Sequence, residues 1–196
     1  MILRRLAITA GLAVSCLSFA SAQDSDFSKL DNYFKSQLAK NVSPSISAAV
    51  VKDGKVVYAK AFGYADLEND VLATPESVYR IGSITKQFTA TMIMQLVGEG
   101  KLTLDQPFRT VLPELSKAWD KITIRQLLNH TSGIKAYTEL PGLFDDAALK
   151  PTTPAGIIKK VEKVPLDFAP GTQWHYNNSA YEVLGMVIPS GSRIRA

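Results

Sequence analysis

The sequence predicts an α+β fold in which an antiparallel sheet comes first and a helical region follows. Three observations carry this reading: an amphipathic segment over 27–38, two β-prone runs joined by Asp53-Gly54, and a succession of helical patterns from Ser83 onward. Phe27, Leu30, Phe34 and Leu38 recur at helical spacing and mark the apolar face of a first helix. "SISAAVV" and "VVYAKAFGYA" flank "KDGK", and Asp-Gly suits a type I′ hairpin turn, which needs positive φ at both central residues. Beyond Ser83, Phe88, Met92, Leu96 and the neighbouring Ile93 form an apolar stripe running to Val97, with Gly98 and Gly100 as the stop. "TIRQLLNHTSG" reads as a short helix closing in a turn. Thr153 and Pro154 suit the N-cap and first position of the next helix, and "SAYEVLGMVI" places Tyr181, Leu184 and Ile188 on one face of the last.

The 196 residues suffice for one domain of ordinary size or two small lobes. The N-terminus has the three parts of a secretory signal: basic "MILRR", apolar "LAITAGLAVSCLSFA", and Ala20-Ser21-Ala22 as an A-x-A cleavage site. The apolar run is shorter than the roughly 20 residues of a membrane span. Cleavage after Ala22 is therefore expected, with a periplasmic or secreted product starting at Gln23 and no stable membrane span. It removes Arg4, Arg5 and no acids, so the formal charge falls from +4 to +2, and no electrostatic case for nucleic acid remains. Cys16, the single cysteine, leaves with the signal, so the mature chain has no thiol nucleophile. His130 and His175 match no metal spacing, and no metal or cofactor is expected. The expected organisation is a signal over 1–22, a helix and hairpin over 23–80, a helical region over 81–188, and an aberrant tail over 189–196.

The chemistry concentrates at "RIGSITKQFTA". Residues i and i+3 share a helix face, so Lys86 can reach back to the Ser83 oxygen, and a neutral lysine amine can activate a serine hydroxyl. Ser83 also lies at a helix start, where free backbone N–H groups can stabilise an oxyanion. The alternative is that Ser83 is an N-cap and Lys86 a solvated first-turn residue. A second Ser-x-x-Lys, Ser132 to Lys135, lies in a turn containing Gly133, where nothing fixes lysine over serine. Tyr176-Asn177-Asn178 adds a phenol able to shuttle protons and an amide able to orient Lys86 and a substrate carbonyl. Its alternative makes Tyr176 a core aromatic and Asn178 the cap of the following helix.

Together, "AFGYADLEND", "YRIGSITKQFTA", "GKLTLDQP", "ITIRQLLNHTSGI" and "PGTQWHYNNSAYEVLGMVI" resemble the serine β-lactamase and penicillin-binding family, specifically its class C β-lactamase, D-Ala-D-Ala carboxypeptidase and esterase branch. The resemblance implies a β-lactamase/transpeptidase-like fold and an acyl-enzyme mechanism on a β-lactam, a D-Ala peptide of peptidoglycan type or a small ester. It makes Ser83 the nucleophile, Lys86 its activating partner, Tyr176 the acid/base and Asn178 a substrate-positioning residue; His130 and His175 are not bases. Nothing after Asn178 matches the family's third motif, a Lys or His two residues before Gly on a strand beside the site. The resemblance ends at Pro189, and an early stop or frameshift after Ile188 is the expectation, with the C-terminal strands missing and activity impaired. The competing readings are a non-catalytic truncated fragment and a secreted α+β domain without catalysis. Oligomeric state is not legible.

Overall fold

The computed structural model describes residues 27–41, 43–142 and 152–192. The signal segment, and the tail from Arg193, lie outside them. The chain divides between Tyr79 and Arg80 into two compact units.

In the first unit, α1 (Ser28–Leu38) packs on a three-stranded antiparallel sheet ordered β1 (Ser45–Lys52), β2 (Lys55–Asp66), β3 (Val71–Leu72). The hairpin register pairs Lys52 with Lys55 and Val50 with Tyr58. Asp53 and Gly54 take φ of 51° and 73°, the two positive values of a type I′ turn. The apolar face read from the sequence holds: the Phe27 ring lies 4.9 Å from Tyr58, and Phe34 lies 5.8 Å from Phe62. Asp31 accepts a hydrogen bond from the Tyr58 hydroxyl at 2.8 Å and pairs with Lys60, which pins helix to strand. The strand β3 is an addition to the sequence reading. Two residues are too few to show an alternation, and only pairing with Tyr64 and Asp66 makes them a strand.

The second unit holds the larger core. Helix α5 (Asn178–Gly191) runs through its centre, packed by α2 (Thr85–Gly98), α3 (Ile124–Leu128) and α4 (Pro154–Val161). Ile93, Phe108, Trp119, Leu127, Ile158 and Leu184 are fully buried there. Each short helix is fixed by a local cap. The Thr123 hydroxyl accepts from Gln126 N–H while the Gln126 side chain accepts from Thr123 N–H, a reciprocal capping box. Thr153 caps α4 through Gly156 N–H at 3.1 Å, with Pro154 in the first turn. Helix α2 ends as expected. Gly100, at φ 70°, donates to Val97 O, and Lys101 donates to Leu96 O, the paired bonds of a Schellman stop.

Two details differ from the sequence reading, the buried face of α2 and the end of α5, and a third rejects its alternative for Asn178. The buried line of α2 is Ile93 and Leu96, flanked by Ala90 and Val97; Phe88 and Met92 are exposed at 58% and 47%. The helix is apolar on several faces, so its periodicity could not choose the one that meets α5. Asn177, not Asn178, caps α5, its side chain accepting from Ala180 N–H at 2.8 Å. Finally, α5 continues through Pro189 to Gly191, which is buried close to Leu96 and Leu102.

Candidate active site

Ser83 lies in a 3₁₀ turn, Gly82–Ile84, that leads directly into α2. Its side chain caps nothing. Instead Ser83 Oγ accepts the Tyr176 hydroxyl at 2.6 Å and Lys86 Nζ at 3.3 Å. The lysine reaches back because three residues of helical winding place it on the serine's face. It also donates to Asn178 Oδ1 at 2.7 Å, and Asn178 Nδ2 donates to Thr138 Oγ1 at 3.2 Å. All four residues selected from the sequence thus meet at one point. Since Asn177 takes the capping role, the Asn178 amide is free to face Lys86. Nor is Tyr176 a core aromatic: it is 38% exposed.

Lys86 Nζ stands 4.7 Å from the centre of the Tyr176 ring and 5.4 Å from that of Tyr181. Burial pushes the Tyr176 phenol up, but polar interaction with Lys86, the hydrogen bond with Ser83 and the lysine charge together hold it below its ordinary value. A phenol so placed exchanges a proton with Ser83 more readily than a free tyrosine.

The support behind Tyr176 comes from His130, a residue that the resemblance set aside as a base. His130, at φ 65°, accepts Asn177 N–H on Nδ1 at 3.1 Å and His175 N–H on its carbonyl at 3.0 Å. Its ring centroid lies 4.8 Å from Tyr176 and 5.2 Å from Tyr181. Burial, and secondarily the charge of Lys86, lower its pKa, favouring the neutral ring that can accept at Nδ1. His130 therefore holds the loop that carries Tyr176 and Asn178, a role invisible in sequence because its partner lies 47 residues away.

The second Ser-x-x-Lys does something else. Ser132 is buried and accepts Ile134 N–H at 3.3 Å, while Lys135 pairs with Glu139 at 2.8 Å and Asp167 at 3.3 Å. Glu139, Asp167 and His175 bring ligand atoms within 4.8 Å of one another, a spacing that could hold a cation. The Lys135 ammonium already pairs with both carboxylates of that group.

The nucleophile candidate opens on a cleft of ≈ 770 Å³, whose described lining includes Ser83, Lys86, Thr138, Asn178, Tyr181 and Glu182. That volume suits a small organic ligand. The sequence reading did not single out Glu182; its place on a predicted helix, four residues past Asn178, was the available signal.

Comparison with known proteins gives a consistent result. The family model described as Beta-lactamase matches residues 30–190. A Bacillus subtilis (strain 168) protein named as a penicillin-binding protein, PbpX, is 35% identical over 160 residues, covering 82% of this chain and 37% of that protein. The octameric penicillin-binding protein homologue from Pyrococcus abyssi superposes with a TM-score of 0.73 at 37% identity, over 86% of this chain and 40% of the other. The D-amino acid amidase from Ochrobactrum anthropi SV3 gives 0.72 at 27% identity, over 84% and 45%. The chain spans less than half the length of each of these relatives. Its β-lactamase/transpeptidase-like fold is accordingly a partial one.

Proposed function

Because this chain belongs to the beta-lactamase family, we propose that it is a serine hydrolase that acylates Ser83 with a β-lactam, a D-Ala peptide or a small ester. One observation carries the proposal: Tyr176 and Lys86 both hydrogen-bond to Ser83 Oγ, and Asn178 accepts a further hydrogen bond from Lys86. The Ser83 proton passes to the Tyr176–Lys86 pair as Oγ forms its bond to the carbonyl carbon, and the C=O electrons move to oxygen. In this scheme the Ser83 backbone N–H, in the turn that leads into α2, supplies a donor to that oxyanion. Collapse breaks the bond to the leaving group, which takes the proton from the same pair. Water then repeats the sequence on the acyl-enzyme and frees Ser83. The relatives named for penicillin binding and for D-amino acid amide hydrolysis support an acyl substrate of this kind.

For the 196-residue chain by itself, acylation is expected to be slow and turnover small. The sequence holds no match to the family's third motif, whose strand, by the resemblance, supplies a second oxyanion N–H, and a single missing oxyanion donor costs on the order of 3 kcal/mol, a hundredfold or more in rate. A second reading, ligand binding or one-time acylation without turnover, is favoured by that same feature. We also propose export after cleavage at Ala22; N-terminal sequencing of cell-envelope protein that found Met1 retained would overturn it.

The test of function is labelling of purified residues 23–196 with a fluorophosphonate and a fluorescent penicillin, with the adduct located by mass spectrometry. The adduct is expected on Ser83, and Ser83→Ala abolishes it. Labelling that persists in Ser83→Ala defeats the assignment. Nitrocefin and p-nitrophenyl-ester assays on the same sample separate turnover from simple acylation.

A further inference from the structure

The acylation chemistry leaves Glu182, a charged group of the cleft lining, without a task. Glu182 lies on α5 one turn beyond Asn178, and the i, i+4 spacing brings both side chains to the same cleft wall. It is half-buried, and among the described residues its carboxylate forms no hydrogen bond or ion pair. Of the titratable and charged groups, Lys86 from α2 and Tyr137 from the 3₁₀ turn Tyr137–Glu139 interact with it, while Arg80 and Tyr181 line the same cleft.

Two roles suit such a carboxylate. The first, a counterion for Lys86, is disfavoured by the geometry. Lys86 Nζ spends its bonds on Asn178 Oδ1 at 2.7 Å and Ser83 Oγ at 3.3 Å, and no ion pair joins it to Glu182. A close pair would also hold the lysine protonated and work against its activating role. The second role is to meet a cation carried by the substrate. A carboxylate partly removed from water is costly until an opposite charge or a donor arrives, so it favours ligands that bring one. Burial raises the Glu182 pKa, with the Lys86 charge opposing, which is the signature of that incomplete solvation.

We propose that Glu182 forms a cation-recognising subsite of the cleft and selects substrates that carry a protonated primary amine. The assignment rests on the acylation of Ser83 and adds a substrate class to it. The amine is steered toward Glu182, its charge offsets the desolvation of the carboxylate, and the reactive carbonyl is thereby held near Ser83.

The experiment follows fluorophosphonate labelling of Ser83 at pH 6.5, with n-butylammonium or n-butanol as competitor. Each protein is compared with its own uncompeted rate. In the wild type, butylammonium is expected to protect at about tenfold lower concentration than butanol. Glu182→Gln removes the difference, and Glu182→Asp keeps part of it. Equal protection by the two competitors in the wild type overturns the subsite, as does an ammonium preference that survives in Glu182→Gln. Failure of the fluorophosphonate to label Ser83 at all overturns the acylation reading, and the subsite falls with it.

Discussion

Ser83 and Lys86 are three residues apart, as are Ser132 and Lys135, yet the two lysines turn in opposite directions. Lys86 reaches back to its serine at 3.3 Å and forward to Asn178 at 2.7 Å, with no carboxylate bonded to it among the described residues. Lys135 turns away to Glu139 and Asp167, two carboxylates that hold its charge, and their hydrogen bonds raise its pKa. The serines diverge likewise. Ser83 is exposed on the cleft and bonded to a phenol; Ser132 is buried and bonded to backbone. A spacing becomes chemistry only when a helix fixes the pair, a cleft reaches it, and the lysine is spared a carboxylate partner.

Replacing the lysines should break this comparison most sharply. Lys86→Met is expected to slow labelling of Ser83 by about 10²–10⁴-fold, the range for losing an acid/base group, while the fold is kept. Lys135→Met should leave the labelling rate within about threefold. Similar losses in the two variants would mean that Lys86 acts through packing or general charge rather than on Ser83.

A smaller effect is expected at Tyr176. Tyr176→Phe keeps the ring beside His130 and removes the hydroxyl, so labelling should fall by about 10²-fold. Because the phenol is held below its ordinary value of 10.0, the wild-type rate should rise with pH along a limb centred below that value. An identical limb in Tyr176→Phe would assign the titration to another group.

His130 sharpens the contrast from behind the site. Its pKa is lowered in the fold, so the neutral ring is the stabilising form. That contribution is complete above the unfolded value near 6.5 and fades as pH falls through the lower folded one. His130→Asn keeps an acceptor for Asn177 N–H and tolerates the positive φ, but it does not titrate. Thermal melts from pH 7.5 to 5 should show a steeper fall for the wild type than for His130→Asn; parallel curves would remove His130 from the account.

The smallest effect belongs to Ser132. Ser132→Ala removes one hydrogen bond to Ile134 N–H and should cost about 1 kcal/mol in a denaturation curve, with Ser83 labelling unchanged. Reduced labelling would give the second motif a function that its geometry does not suggest.

Much of the second unit was legible from local pattern. Thr153 with Pro154, and Gly100 after Val97, act within a turn of the chain, and the structure uses each as read; the Thr123–Gln126 capping box is equally local, though the sequence reading gave only its helix. The buried face of α2 was not legible, because Ile84, Phe88, Met92 and Met94 are as apolar as the Ile93 and Leu96 that are buried. His130 and Glu182 escaped for a related reason. The first works through a partner 47 residues away, and the second matters only because α5 lines the cleft.

By itself the sequence determined the residue types at the site, the hairpin turn at Asp53-Gly54, and the helix that carries Lys86 back toward Ser83. These follow from interactions within about four residues, where backbone geometry leaves few choices. Only the tertiary structure brought Asn178 to Lys86 across 92 residues and Tyr176 to Ser83 across 93. It also gave the cap of α5 to Asn177, so that its neighbour could face the cleft. The physical reason is burial: packing α2 against α5 removes apolar surface from water without regard to separation along the chain, and that packing sets which polar groups meet.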